Sequence, residues 1–244
     1  MKVGVVTCAY NEERFIKACI RQFDGFDVEH LVLVSLTPWQ GSAMEEVDNT
    51  AQIAKDNGAT VIEGNWSRDE DQRHFGLDYF KDKGFDWCLV VDTDEFYTKE
   101  SLDKIFSFLN DSPDREIYKP SEMLVYWKDL DHIVTPTQGP PVLAMRPHQR
   151  FSSVRDVYYD NFYIPGTTLH HLSYVRTDAE MVKKISSWGH AHELVPNWYQ
   201  DVWLKWREGD KNFHPTVPNV FEDAVKSPLP LEIKKLLGWS LKEI

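Results

Sequence analysis

The chain has 244 residues, enough for one large domain or a domain with an appendage, and its 42% hydrophobic and 13% aromatic content excludes global disorder. A formal net charge of −12 argues against nucleic acid as a partner, because a phosphate backbone needs clustered Lys and Arg. No run reaches the ~20 apolar residues of a membrane span, and the opening MKVGVVTCAY reads as a strand, not as a signal peptide.

Val3 to Thr7 is the first expected strand. Asn11 is expected to cap the helix that follows, with Glu12 and Glu13 in its first turn and Phe15, Ile16, Cys19, Ile20 and Phe23 on its inner face. Strands are expected at Leu31 to Leu36 and Thr60 to Ile62, with a helix over 44–56 between them. Ser67 with Glu70 three residues on is a capping-box pattern, so a helix is expected from there to Lys83. The next stretch, FDWCLVVDTDEF, is an apolar strand that breaks into Asp92, Asp94 and Glu95. Side chains alternate along a strand, so Asp92 and Asp94 share one side and Thr93 takes the other. Two acids at a strand's C-terminal end repel each other unless a cation lies between them, and D-x-D in this context is a candidate divalent-metal site. The rival reading is an acidic turn before the helix expected at Lys99 to Leu109.

Strand and helix alternate through the first hundred residues, which predicts a mostly parallel sheet with helices on both faces. The expected fold is α/β, a Rossmann-like domain over 1–244, with a nucleotide-binding half at 1–110 and an irregular α+β half at 111–244. In that second half, strands are expected at Glu122 to Trp127, Val142 to Met145, Asp156 to Phe162 and Thr168 to Val175. A second capping box, Thr177 to Glu180, opens a helix to Ile185. Another helix is expected over Asn197 to Glu208, and the last fourteen residues carry a helical apolar stripe. The three cysteines, Cys8, Cys19 and Cys88, form no C-x-x-C pair and are expected as buried, reduced thiols of a cytoplasmic protein.

Three segments, Val5 to Glu12, Asp71 to Leu77 and Val90 to Glu95, occur in the order and spacing of the A-type nucleotide-sugar glycosyltransferases, and the chain resembles family 2 of that group over residues 1–110. The resemblance implies transfer of a sugar from a nucleoside diphosphate sugar, with UDP-sugar favoured, to a saccharide or other hydroxyl acceptor, with inversion and with Mn²⁺ or Mg²⁺. Ala9 and Tyr10 would hold the base and ribose, with Glu12 at the same turn, and Arg73 would reach the nucleotide. Gly76 would leave room for close approach. Asp94 would bind the metal, and Asp92 the sugar, the ribose or a metal-bound water, which places Asp92 in the catalytic group as well. His171 is the histidine of the late strand expected to join Asp92 and Asp94 as a metal ligand, since adjacent His170 must face the other way. Lys184, or its neighbour Lys183, is a candidate for the diphosphate, against the alternative of a solvated helix face.

The family's acidic pair after the second strand is replaced by Ser35-Leu36-Thr37-Pro38-Trp39, so Trp39 is the candidate for stacking on the base. The acceptor's proton needs a carboxylate, and Glu193, Asp156 and Asp160 are the candidates. His190 and His192 are a possible metal pair. Trp127, Trp188, Trp198, Trp203 and Trp206 form either a sugar platform or core, and their spacing favours core. Arg73 also stands four residues after Asp69, the spacing of a surface helix ion pair. A sugar-phosphate nucleotidyltransferase is the nearest rival, although Ala9-Tyr10-Asn11-Glu12 lacks the Gly-rich, basic turn such enzymes use. A haloacid-dehalogenase-type phosphatase and a non-catalytic nucleotide-sugar-binding domain are the others.

Overall fold

The computed structural model describes residues 1–39, 47–111, 114–153, 155–157, 162–188, 191–217 and 219–239. Its centre is a parallel sheet of β3 (Thr60–Gly64), β2 (Val28–Ser35), β1 (Val3–Ala9) and β4 (Trp87–Val90), in that spatial order. β1 and β4 are buried at every position, as expected of strands covered on both faces. α1 (Glu13–Arg21) and α2 (Thr50–Asp56) cover one face through Ile16, Ile20 and Ala54 against Val32 and Val34. α3 (Asp69–Asp82) covers the other, with Leu77 and Phe80 against Val6, Leu31 and Leu33. The α/β, mostly parallel and Rossmann-like arrangement expected from the sequence is therefore present.

The second half of the chain extends this sheet. β8 (Ala144–Met145) pairs antiparallel with β4, and β6 (Ile117–Trp127) follows it, then β7 (His132–Thr135) and β10 (Asp223–Lys226). β9 (Tyr163–Tyr174) runs parallel to β6 and antiparallel to β5 (Glu95–Phe96), in a register that sets His171 against Glu95. α4 (Lys99–Asn110), α5 (Asp178–Ser187) and α6 (Leu231–Leu237) complete the regular elements, and Thr177 and Glu180 form the expected capping box of α5.

Several boundaries depart from expectation. Asn11 does not cap α1: it takes a left-handed turn (φ 53°), and its Oδ1 accepts from Asp48 N–H at 3.0 Å. The amides opening α1 are satisfied instead by Asp48 and Thr50, which accept from Glu13 and Glu12 at 2.9 and 2.8 Å. Arg68, not Ser67, occupies the cap position of α3, without a side-chain cap. The described part of the 44–56 helix is α2 alone, and 40–46 lie outside the described residues. Asp156 forms only a single bridge to Ser153, and Asp160, His190, Leu241 and Ile244 also lie outside the described residues. The helix expected over 197–208 shrinks to a wide turn, Tyr199–Trp203. Its tryptophans wrap Trp127, with ring centroids 6.1, 5.4 and 6.2 Å away for Trp198, Trp203 and Trp206, so ring packing sets this segment's path and these residues are core.

Gly76 leaves room for the sheet rather than for a ligand. A Cβ there would lie 2.6 Å from Val6 Cγ1, so glycine lets α3 settle directly on β1. Among the described residues no helix is long and apolar enough to cross a membrane. All three cysteines are buried and free of disulfides.

Candidate functional site

The chain leaves β1 toward β2 and β3 on one side and returns as β4 on the other. At such a switch point the loops beyond the two strand ends diverge and open a crevice. A cavity of about 1460 Å³ occupies that place. β1 delivers Tyr10 and Glu12, β4 delivers Asp92 and Asp94, the first turns of α3 deliver Asp69 and Arg73, and Trp39 comes from the loop after β2. His171 on β9 and Lys184 on α5 close it from the second half, together with Asp156. Three predicted residues, Ala9, Glu193 and His192, are not brought in. The Ala9 side chain packs with Ile16, Val32 and Val34 in the α1–α2 layer. Glu193 sits in a short 3-10 turn, Ala191–Glu193, exposed and outside the cavity lining. His192 is in the same turn, 3.5 Å from Glu193.

The carboxylates are matched one for one by cations. Asp92 accepts from Arg73 Nη2 at 3.1 and 3.2 Å and meets Arg155 Nη1 at 3.1 Å. Asp94 Oδ2 meets Lys184 Nζ at 2.9 Å and Arg176 Nη2 at 3.2 Å, while its Oδ1 lies 3.4 Å from His171 Nε2. Glu12 accepts from Arg176 at 3.0 Å, and Glu95 pairs with Arg155 at 2.5 Å. Withdrawal from water raises the pKa of each carboxyl, and Coulomb attraction lowers it. At Asp94 burial is outweighed by Lys184, His171 and Arg176, and the pKa falls well below the usual carboxylate range. At Asp92 burial is outweighed by Arg73 and Arg155, and the shift is again downward. At Glu12 and Glu95 burial wins over Arg176 and Arg155, and both are raised. The D-x-D acids are thus held ionised, in a cavity whose local charge is near balance although the chain as a whole is acidic.

Backbone geometry fixes the constellation. Leu172 N–H donates to Asp94 C=O at 2.8 Å, which locks β9 to the D-x-D turn and points His171 at Asp94. His170, on the opposite face, is buried and 3.1 Å from Tyr126 Oη, and burial lowers its pKa to about 4. Glu95 Oε2 accepts from Asp92 N–H at 3.0 Å, and Arg155 Nη2 donates to Val90 and Val142 carbonyls at 2.7 and 3.0 Å, tying the turn to its neighbour. Trp39 Nε1 donates to Gln72 Oε1 at 2.7 Å, and Gln72 donates to Leu33 C=O at 2.8 Å, so the indole is fixed to β2 through α3. The Arg73 guanidinium lies 5.7 Å from the Trp39 ring centroid.

Sequence reasoning missed Arg155 and Arg176. Neither carries a local signal: Arg155 reaches Glu95 across sixty positions, and Arg176 reaches Asp94 across eighty-two. Asp69 was read only as a surface partner of Arg73, but both side chains are buried, 8% and 3% exposed, and 3.7 Å apart. Their i,i+4 spacing continues along α3 as Gly76, Leu77 and Phe80, so the polar pair extends the helix's inner stripe. That register is legible in the sequence once the stripe is followed back to its start.

No family model matches the chain, and no curated protein does. Among solved structures it is similar to S. aureus TarS, at 20% identity over 58% of this chain and 23% of that one, with a TM-score of 0.35. It is also similar to the mannosyltransferase PcManGT from Pyrobaculum calidifontis, in complex with GDP-Man and Mn²⁺, at 12% identity over 76% and 61% of the two chains, TM-score 0.48. A third is the CMP:2-keto-3-deoxy-manno-octonic acid synthetase complexed with CTP, at 11% identity over 60% and 75%, TM-score 0.39. The chain spans about a quarter of the length of TarS. Likeness at this level assigns no residue a role.

Proposed function

We propose that this chain is a glycosyltransferase domain that moves a sugar from a nucleoside diphosphate sugar, with uridine favoured, to a hydroxyl of a saccharide or similar acceptor, with inversion. The observation that carries the proposal is the convergence of Tyr10, Arg73, Asp92, Asp94, His171 and Lys184, from distant segments, on one cavity at the switch point of a parallel sheet. An anionic donor is otherwise a poor match for a chain of net charge −12, and Arg73, Arg176 and Lys184 in the cavity wall offset that charge locally.

Among the described residues no group of three His, Cys, Asp or Glu side chains is placed to hold a metal ion. Asp94 Oδ1 and His171 Nε2, 3.4 Å apart, nevertheless make a two-ligand donor set, and it suits Mn²⁺ or Mg²⁺ taken up together with diphosphate oxygens and water. Such an ion supplies charge neutralisation for the departing diphosphate. Asp92, already held by Arg73 and Arg155, is less suited to the ion and better placed as a fixed acceptor for a ribose or sugar hydroxyl. Lys184 and Arg176, which pair with Asp94 here, would be the cations at hand for the diphosphate if Asp94 held such an ion.

Asp156 is the proposed base. It lines the cavity, follows Arg155 directly, and its carboxylate is half-exposed and steadied by Lys119 Nζ at 3.0 Å. Its oxygen would take the acceptor hydroxyl's proton as the new glycosidic bond forms. The test is product analysis after incubation with UDP-sugars and saccharide acceptors. The reading predicts released nucleoside diphosphate and a new glycoside. Release of pyrophosphate from a nucleoside triphosphate and a sugar phosphate would instead establish the nucleotidyltransferase reading.

A further inference from the structure

Arg155 is buried beneath the D-x-D turn, only 4% exposed. Its Nη1 meets Glu95 Oε1 at 2.5 Å and Asp92 Oδ2 at 3.1 Å, and its Nη2 donates to the Val90 and Val142 carbonyls at 2.7 and 3.0 Å. The backbone is held as well: Val142 N–H donates to Arg155 C=O at 3.2 Å, so the residue just before β8 binds Arg155 by both its carbonyl and its guanidinium. Ser152 N–H donates to Asp156 C=O at 2.9 Å, closing a turn in which Arg155 takes a left-handed conformation, φ 48°. A residue with a Cβ keeps that conformation only where its surroundings fix it, and such strain gathers at functional sites. The same turn delivers the next side chain, Asp156, to the cavity wall, where Oδ1 accepts from Lys119 Nζ at 3.0 Å and from Val157 N–H at 2.9 Å. Arg155 thus joins the acids after β4 to Asp156, although Glu95 and Arg155 are 60 positions apart.

Resting on the proposed function and on Asp156 as its base, we infer that Arg155 is a positioning residue that sets the place of Asp156 relative to the D-x-D turn. Sugar transfer forms a bond from the acceptor oxygen to the anomeric carbon while Asp156 takes that oxygen's proton. The bond from the anomeric carbon to the diphosphate oxygen breaks, and the nucleoside diphosphate leaves with its electron pair. Base and donor must therefore stand at a set separation, and a misplacement of about 1 Å can cost about 10²-fold in rate. Neutralising Glu95 would need only a charge. Arg155 instead uses both Nη nitrogens and its own carbonyl, and a planar fork makes directed bonds that a single ammonium does not reproduce.

The experiment is a double-mutant cycle between Arg155→Lys and Asp156→Asn. Arg155→Lys keeps the charge and loses the fork. If it does not fold, Arg155→Met with Glu95→Gln takes its place, removing the buried pair together while Asp92 keeps Arg73. Turnover is followed as glycoside formed from a UDP-sugar and a saccharide acceptor, and donor binding by calorimetric titration of UDP with Mn²⁺. Arg155→Lys is expected to lower kcat by about 10–10²-fold, with the Kd for UDP close to that of the wild type. Added to Asp156→Asn, it is expected to lower the residual turnover by only about twofold or less, because a residue acting through Asp156 has nothing left to act on. An equal loss in both backgrounds, a kcat that does not fall, or a kcat that falls only in step with UDP binding overturns the positioning role and leaves the proposed function standing. Full turnover in Asp156→Asn removes the base and this inference with it, and a wild type that forms no glycoside overturns the proposed function as well.

Discussion

At the scale of single residues, the site depends on opposite charges placed by distant parts of the chain. Removing one member leaves a buried charge without its partner, which costs more than the pair contributed. Asp156→Asn is milder, because that carboxylate is half-exposed and the amide oxygen that replaces it can still accept from Lys119 Nζ and Val157 N–H, 3.0 and 2.9 Å away in the wild type. If Asp156 is the base, this variant binds UDP as the wild type does while turnover falls by about 10²–10⁴-fold. Steady-state rates beside a binding titration check this, and unchanged turnover would remove Asp156 from the role. Much of the site was legible locally. The buried strands that run out into Asp92 and Asp94 and into Tyr10 and Glu12 were legible, but Asp92 and Asp94 lie in a turn beyond β4 and not on one strand face. The counter-cations were not legible, because Arg155 and Arg176 acquire their partners only when β9 and its neighbours fold back. Glu193 is a candidate by side-chain chemistry alone, which says nothing about where a turn will point it.

At the scale of elements, α3 is the part that most directly sets the site. Its inner stripe runs from Asp69 and Arg73 to Leu77 and Phe80, and its height above the sheet is set by Gly76. In Gly76→Ala the new Cβ meets Val6 Cγ1 and Cγ2 at 2.6 and 2.9 Å, so α3 must lift or Val6 must shift. Overpacking of this kind costs about 1–3 kcal/mol. Denaturant unfolding is expected to show that loss, with weaker nucleotide binding because Arg73 moves with the helix. Undiminished stability would contradict the packing account. Helices with a clean apolar stripe, such as α1 and α4, were readable from periodicity, whereas α3 was expected from a capping box that does not form. The segment after Asn197 was misread because aromatic residues at helical spacing satisfy the same pattern. Its rings answer instead to Trp127, seventy positions earlier, and tertiary packing overrides the local preference.

At the scale of the whole molecule, two buried histidines couple the fold to pH. Burial lowers His30 from 6.5 to about 3 and His170 from 6.5 to about 4. Each is therefore neutral in the folded chain while its unfolded counterpart takes up a proton below pH 6.5. Their contribution is complete above pH 6.5 and is lost as pH falls from there toward 4, by up to about 1.4 kcal/mol per pH unit for each histidine. Asp69, raised to about 6, works with the opposite sign over part of that range, so comparison with variants is the clean readout. Thermal midpoints of His30→Asn and His170→Asn are expected to fall less between pH 6.5 and 4.5 than those of the wild type. Parallel curves would show that these rings are not held neutral. The same whole-molecule view explains where the cavity lies: the sheet order places β1 and β4 side by side, and their loops part above them. The most direct test of the central claim is a thermal-shift titration of UDP with Mn²⁺, Mg²⁺ or EDTA, on the wild type and on Asp94→Ala. A ligand at ~100 times its Kd adds about 2.7 kcal/mol, a rise of several degrees at this size. The account predicts that rise with metal and UDP together, its reduction by EDTA and its loss in Asp94→Ala, whereas an equal shift in both proteins, or no shift with any nucleoside diphosphate, would contradict it.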